Sequence, residues 1–105
     1  MRSAIRSRRA FTAASHAGTE GGDRFPRQAV AQAFSATLRE LRTVRGFSQE
    51  RLAEAAGLHR TYTSLLERGL RTPTLTAIVR LSDALGVTPA YLVQQTVARL
   101  PLNGS

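Results

Sequence analysis

The sequence predicts an all-α protein of five helices, and two observations support this. Apolar residues within residues 28–98 recur at intervals of three and four, which is the period of an amphipathic helix. Gly46, Gly57, Gly69 and Gly86 interrupt the pattern, and glycine commonly follows the last turn of a helix. We find no credible strand and no internal repeat, so one small helical domain is expected.

The first helix is predicted to begin at about residue 28 and to end at Gly46. Pro26 stands where a helix can begin, because proline is favoured in the first turn. The apolar face of this helix is predicted to consist of Phe34, Leu38, Leu41 and Val44 (or Arg45).

Two short helices follow, at about 49–56 and 60–67. Ser48 offers an N-cap for the first of them, and Glu50 in its first turn complements the helix dipole. The tight turn between them needs a residue that tolerates a positive φ, and Gly57 does so at little cost. The residues expected to face the core are Leu52, Ala53, Ala56, Leu58, Thr63 and Leu66.

Two more helices complete the domain. Thr74 is the predicted cap of the fourth helix, which ends at Gly86. Thr88 and Pro89 form an N-cap and first-position pair for the fifth, which runs to about residue 98. The inward residues of the fourth helix are predicted to be Leu75, Ile78, Leu81 and Leu85.

The charge of the chain indicates a polyanionic partner. The net charge is +8, and all 15 basic residues are arginine, which binds phosphate through a bidentate fork. We therefore expect nucleic acid first and an anionic membrane surface second. The chain has no cysteine, and His16 and His59 are far apart, so we expect no metal site and no cofactor. No acid has a nucleophile or second acid at useful spacing, and we expect the chain not to be an enzyme.

The two ends of the chain lack apolar periodicity. Residues 1–27 are rich in arginine and are predicted to be a disordered basic arm, and residues 99–105 a flexible tail. An over-extended start site and an organellar transit peptide are alternatives for the arm. Without a membrane-spanning run or a secretory signal, we expect a cytoplasmic, nucleoid-associated protein.

The run from Ser48 to Tyr62 resembles the Cro/C1-type (phage-repressor-like, XRE) helix-turn-helix family. Residues 66–69, 73–75 and 84–87 also match, so the resemblance covers about residues 33–96. It implies a five-helix lambda-repressor-like DNA-binding domain. Within the family, the stretch Gly57–Tyr62 is especially similar to restriction–modification controller proteins.

The resemblance also implies which residues meet DNA. Arg60 enters the major groove in the first turn of the second motif helix and is the best candidate for a bidentate contact to guanine. Tyr62 has two readings, as a DNA contact or as a cover for the edge of the core. The predicted base-contacting residues are Arg60, Thr61, Ser64 and Leu65, and the predicted backbone-contacting residues are Ser48, Gln49, His59, Tyr62, Arg68, Arg71 and Thr72.

Four further residues are given structural roles. Ala53 allows the two motif helices to approach, and Gly57 makes their turn. The resemblance pairs Glu67 with Arg42 on the first helix in a salt bridge. The family usually has Ile or Val at the position of Thr63, whose hydroxyl we expect to bond to a carbonyl of the preceding turn.

The function that these features predict is a transcriptional regulator. It would bind a near-palindromic operator in double-stranded DNA as a homodimer. The dimer surface is expected to involve the fifth helix and the tail, with Leu92, Val97 and Leu100 exposed. The alternative is an antitoxin-like protein that binds a partner enzyme and autoregulates through the same motif. The operator sequence, the sign of regulation and the regulated genes stay open.

Overall fold

The computed structural model describes residues 25–101, and it is all-helical over that range. The five helices are α1 (Arg27–Arg45), α2 (Gln49–Ala56), α3 (Arg60–Glu67), α4 (Leu75–Leu85) and α5 (Pro89–Ala98). The predicted all-α, five-helix fold is therefore confirmed. The predicted basic arm lies almost entirely outside the described residues.

The helices enclose one core, which is built mainly from leucine. Helix α1 packs against α4, α5 and the end of α3, and α2 packs against α3 and α4. At the centre every helix contributes at least one fully buried side chain: Phe34, Leu38, Leu52, Leu66, Leu81, Leu85 and Leu92. This arrangement packs α2 against α4 and α3 against α1, which fixes the positions of both.

Three side chains differ from the sequence prediction. Val44 and Leu75 were expected to face inward but are 75% and 74% exposed. Val44 lies in the last turn of α1, beyond the core, where the neighbouring Arg45 reaches the Leu85 carbonyl instead. Leu75 occupies the first turn of α4, and Ala77 takes the inward position there.

The third difference concerns the fifth helix. Leu92 was expected on an exposed dimer surface, but it is completely buried in the core. Thr88 caps α5 by accepting a hydrogen bond from the Tyr91 amide, and Pro89 follows the cap. This start sets the phase of the helix so that Leu92 and Thr96 face α1, while Val93 and Val97 remain partly exposed.

Polar contacts hold α5 against α1. The Arg99 guanidinium donates to the Thr37 hydroxyl at 2.9 Å and also pairs with the Glu40 carboxylate. Thr37 is itself buried and donates to the Ala33 carbonyl. These bonds join the end of α5 to the middle of α1, and none of them involves a residue of α3.

Candidate nucleic-acid interface

The turn between α2 and α3 sets the position of α3. Gly57 has a φ of 68°, in the left-handed region that a side chain disfavours. Its carbonyl accepts from Arg80 at 3.2 Å, and the next amide, of Leu58, donates to the Ala53 carbonyl at 2.9 Å. Ala53 is 3% exposed, so a larger side chain there would press against the packed interior. The turn is therefore specified by small residues at both points.

The N-termini of the two helices are held in different ways. Ser48 caps α2, because its hydroxyl accepts from the Arg51 amide at 3.0 Å. His59 is the N-cap residue of α3 and makes no side-chain cap bond. Instead, Thr63 donates through its hydroxyl to the His59 carbonyl at 3.1 Å, as expected for a buried threonine in a helix.

A buried polar cluster ties the end of α3 to the other helices. Glu67 is 2% exposed, and its carboxylate accepts from Arg42 Nε at 2.5 Å and from Gln49 Nε2 at 3.1 Å. Arg42 also donates to the Phe47 carbonyl at 2.7 Å. In residues 25–101 every buried side-chain polar atom has a partner. Glu67, the last residue of the predicted DNA-facing helix, is thus turned inward, where it orients Gln49.

The outer side of α3 carries a different set of groups. An open groove, which we call the α3 groove, separates this side from the start of α2 and has a volume of about 280 Å³. Arg60, Thr61 and Arg68 are exposed, and Ser64 and Leu65 are half-buried. The lining residues of the α3 groove are Gln49, Glu50, Arg60, Thr61, Ser64, Leu65 and Arg68. All four predicted base-contacting residues therefore share one surface.

Glu50 belongs to this surface, and the sequence interpretation missed it. Its Oε2 lies 3.8 Å from Arg60 Nη1, and the two side chains are 60% and 72% exposed. From the sequence alone, Glu50 is expected only to complement the dipole of α2. The turn at Gly57 could have predicted this contact. Two short helices that meet at such a turn bring their first turns, and therefore Glu50 and Arg60, to the same side of the motif.

Tyr62 covers the edge of the core and bonds to the loop that follows α3. The half-buried ring packs against the core, and the hydroxyl accepts from the Thr74 amide at 3.2 Å. The Arg71 guanidinium carbon lies 5.8 Å from the centre of the ring. A phenol that accepts one bond still has its own proton to donate. Tyr62 therefore secures the loop after α3 and keeps a donor at the surface.

The described part of the chain has neither a metal-binding cluster nor a membrane-spanning helix. Residues 25–101 hold no group of three or more histidine, cysteine or acidic residues that would bind a metal ion. Over the same range, none of the helices combines the length and the apolar character needed to cross a membrane. The exposed arginines of the α3 groove, Arg60 and Arg68, are the feature that indicates an anionic partner.

Comparison with known proteins defines the class of this protein. Residues 38–92 match the family model described as "Helix-turn-helix", and the chain belongs to this family. The match includes α2, the turn at Gly57 and α3, which are the elements that form the α3 groove. The Cro/C1-type resemblance predicted from the sequence is confirmed.

Restriction–modification controller proteins are among its relatives. The chain is 44% identical to the control protein C.BamHI of Bacillus amyloliquefaciens over 64 residues, which are 60% of this chain and 79% of that protein. The crystal structure of the controller protein C.AhdI from Aeromonas hydrophila is similar, with 45% identity and a TM-score of 0.57. The similarity covers 59% of this chain and 94% of that one.

A third relative has been solved with DNA. It is the controller protein C.Esp1396I, as a tetramer in complex with its natural 35 base-pair operator. Identity is 26% and the TM-score 0.61, over 67% of this chain and 92% of that one. The similarity to controller proteins that the stretch Gly57–Tyr62 predicted is confirmed, and so is the class of helix-turn-helix transcription regulators.

Proposed function

We propose that this chain is a sequence-specific transcriptional regulator that binds double-stranded DNA through α3. The observation that carries the proposal is the division of α3 into a buried face and an exposed one. Thr63, Leu66 and Glu67 are buried, while Arg60, Thr61 and Arg68 point to solvent. A helix held in this way after a tight turn is the element that family members insert into the major groove.

The predicted contact residues divide into a base-contacting set and a backbone-contacting set. The Arg60 guanidinium would donate two hydrogen bonds to O6 and N7 of a guanine, the commonest specific contact in the major groove. Thr61 and Ser64 offer hydroxyls to base edges, and Leu65 offers an apolar contact to a thymine methyl. The backbone-contacting set would fix the register: Ser48, Gln49, His59, Tyr62, Arg68, Arg71 and Thr72.

Gln49 illustrates how the fold prepares a backbone contact. Its side-chain amide nitrogen is held by Glu67, so the side chain is ordered before DNA arrives. The residue also begins α2, where unsatisfied backbone amides favour a phosphate. Ordering the side chain in advance lowers the entropy that binding must offset.

We further propose that the regulator acts as a homodimer on a near-palindromic operator. A single recognition helix reads few base pairs, and two-fold symmetry would set half-sites about 10 base pairs apart. Val93 and Val97 of α5 are 42% and 39% exposed and border an apolar groove that reaches Leu100. C.Esp1396I, which is assembled as a tetramer on its operator, supports an oligomer. Such a protein would act in the cytoplasm at the nucleoid and would catalyse no reaction.

The apolar groove also supports a second candidate function. It has a volume of about 480 Å³, lies outside the α3 groove and is lined almost entirely by apolar groups, among them Phe34, Ile78, Val93 and Val97. An antitoxin-like protein would bind its partner enzyme on such a surface. Light scattering on purified protein and on Val97→Asp separates the two: a wild-type dimer that the variant abolishes supports the regulator, whereas a wild-type monomer supports the antitoxin.

The main proposal is tested by selecting bound sequences from random duplex DNA. Wild type should enrich a two-fold symmetric motif, and Arg60→Ala should lose preference at one base pair of each half-site. The loss corresponds to about 1–3 kcal/mol of discrimination. Arg39→Ala is the control, because Arg39 is exposed but lines neither the α3 groove nor the apolar groove. If wild type enriches nothing, the regulator proposal is wrong.

A further inference from the structure

A second charged groove lies between the start of α1 and the loop that follows α3. We call it the α1 groove, and its volume is about 700 Å³. Its lining contains two arginines and no acidic residue, unlike the α3 groove with Glu50. The lining residues are Arg27, Gln28, Ala31, Gly69, Leu70, Arg71 and Thr72. Only Arg71 and Thr72 belong to the set that the sequence assigns to DNA.

The positive charge of the α1 groove is not neutralised within residues 25–101. The ion pairs of that range join Arg42 to Glu67, Arg60 to Glu50 and Arg99 to Glu40, so Arg27 and Arg71 are in none of them. Both arginines are exposed. Gln28 and Thr72 add an amide and a hydroxyl, which are neutral donors. This combination matches an oxyanion with several acceptor oxygens, such as a phosphate diester.

The α1 groove is held at a fixed position relative to α3. Gly69, with a φ of 71°, ends the turn after α3, and a Cβ there would lie 3.3 Å from Gln32 Cγ and 3.5 Å from the Gln32 Cα. The first half of α1 therefore packs closely against the backbone that leaves α3. On the other side of the loop, Arg71 stacks on the ring of Tyr62, which belongs to α3. Arg71 thus lines the α1 groove while lying against a residue of α3.

We infer that the α1 groove binds a backbone phosphate of the same DNA duplex that receives α3, and that Arg27 is a contact residue there. This inference rests on the proposed DNA binding and extends its surface from α3 to the first turn of α1. Arg27 and Arg71 would hold the phosphate between them, with Gln28 and Thr72 donating to its remaining oxygens. The contact is to the backbone and carries no base preference.

The salt dependence of binding to random-sequence duplex DNA tests the inference in the full chain. Each phosphate contact contributes about −0.9 to the slope of log K against log salt for B-DNA. Arg27→Gln should flatten the slope by about one per protomer and weaken binding equally to all sequences. Arg27→Lys retains the charge and should keep the wild-type slope. Arg27→Gln combined with Arg71→Gln should weaken binding further but flatten the slope by no more than about one per protomer in total, because the two arginines share one phosphate.

Arg39→Gln is the matched control, because it removes the same charge from an exposed arginine that lines neither charged groove. It should leave the slope within error of wild type. An unchanged slope for Arg27→Gln, or an equal change for Arg39→Gln, overturns the inference. If sequence selection still succeeds in that case, only the Arg27 contact is wrong. If selection fails while Arg27→Gln flattens the slope, the sequence-specific function is wrong and the phosphate contact holds.

Discussion

The two faces of α3 differ in how far their polar groups are satisfied inside the protein. On the inner face, Thr63 and Glu67 are 0% and 2% exposed, and each makes hydrogen bonds to named partners. On the outer face, Arg60 makes only an exposed contact with Glu50 at 3.8 Å, and Arg68 is in no ion pair of residues 25–101. The inner face of this eight-residue helix therefore has its polar groups satisfied within the protein, whereas the outer face presents charged groups that are free to bind a partner.

This difference separates stability from recognition. A buried group that loses its partner raises the energy of the folded state, whereas an exposed arginine is already solvated and loses little. We therefore expect substitutions on the inner face to change the free energy of unfolding and those on the outer face to change DNA affinity. Gln49 is the residue that joins the two sides, because it borders the α3 groove and donates to Glu67.

The largest effect is expected for Glu67→Ala. It leaves the largely buried Arg42 without its carboxylate, and breaking such a pair costs about 3–5 kcal/mol. Chemical denaturation measures this directly. Glu54→Ala removes an exposed acid from α2 and should change the free energy of unfolding by about 0.5 kcal/mol or less. Equal stability of the two variants would contradict the division of the two faces.

An intermediate effect is expected for Glu50→Gln, which removes the only acid that lines the α3 groove. The change relieves repulsion of the DNA backbone and frees Arg60 from a competing carboxylate. Affinity for random duplex DNA should rise by a few-fold at low salt, since one unit charge near phosphates is worth about 1 kcal/mol in water. Stability should hardly change, because both partners are exposed.

Fluorescence anisotropy at low and high salt measures the effect of Glu50→Gln. Glu54→Gln is its matched control: the same chemical change on α2, at a residue outside the α3 groove. A weaker affinity for Glu50→Gln would show that Glu50 holds Arg60 in a binding geometry instead of competing for it. In that case Glu50 would be a residue that orients Arg60 for DNA binding, as Glu67 orients Gln49.

The sequence predicted the backbone of this site well and its side-chain network less well. Helix ends were readable because Gly46, Gly57 and Gly86 all have a positive φ, which other residues avoid. Capping by Ser48, Thr74 and Thr88 follows equally local rules. Local chemistry of this kind needs no knowledge of the rest of the fold.

The parts that were wrong or missed depend on how helices pack. Leu92 looks like a surface residue when α5 is considered alone, and it is buried because α5 lies across α1 and α4. The contact of Glu50 with Arg60 joins two helices across a turn, and the α1 groove joins residues far apart in the chain. Periodicity along one helix indicates which residues share a face, but it does not indicate what that face meets.

The smallest effect is expected for Thr63→Val, which tests whether every polar group on the inner face is needed. The His59 carbonyl accepts from the Thr63 hydroxyl and also from the Thr63 amide at 3.0 Å. Valine therefore leaves no buried acceptor without a partner and replaces a buried hydroxyl by a methyl group. The free energy of unfolding should change by about 1 kcal/mol or less, towards greater stability.

Leu66→Ala is the reference variant for the free energy of unfolding, because Leu66 is also fully buried on the inner face of α3. Its truncation leaves a cavity and should cost about 2–5 kcal/mol. DNA binding should be the same for Thr63→Val and wild type, since the side chain is 0% exposed. A large loss of stability would mean that the hydroxyl fixes the start of α3, where His59 gives no side-chain cap. In that event the inner face would also position Arg60, and stability and recognition would be coupled through Thr63.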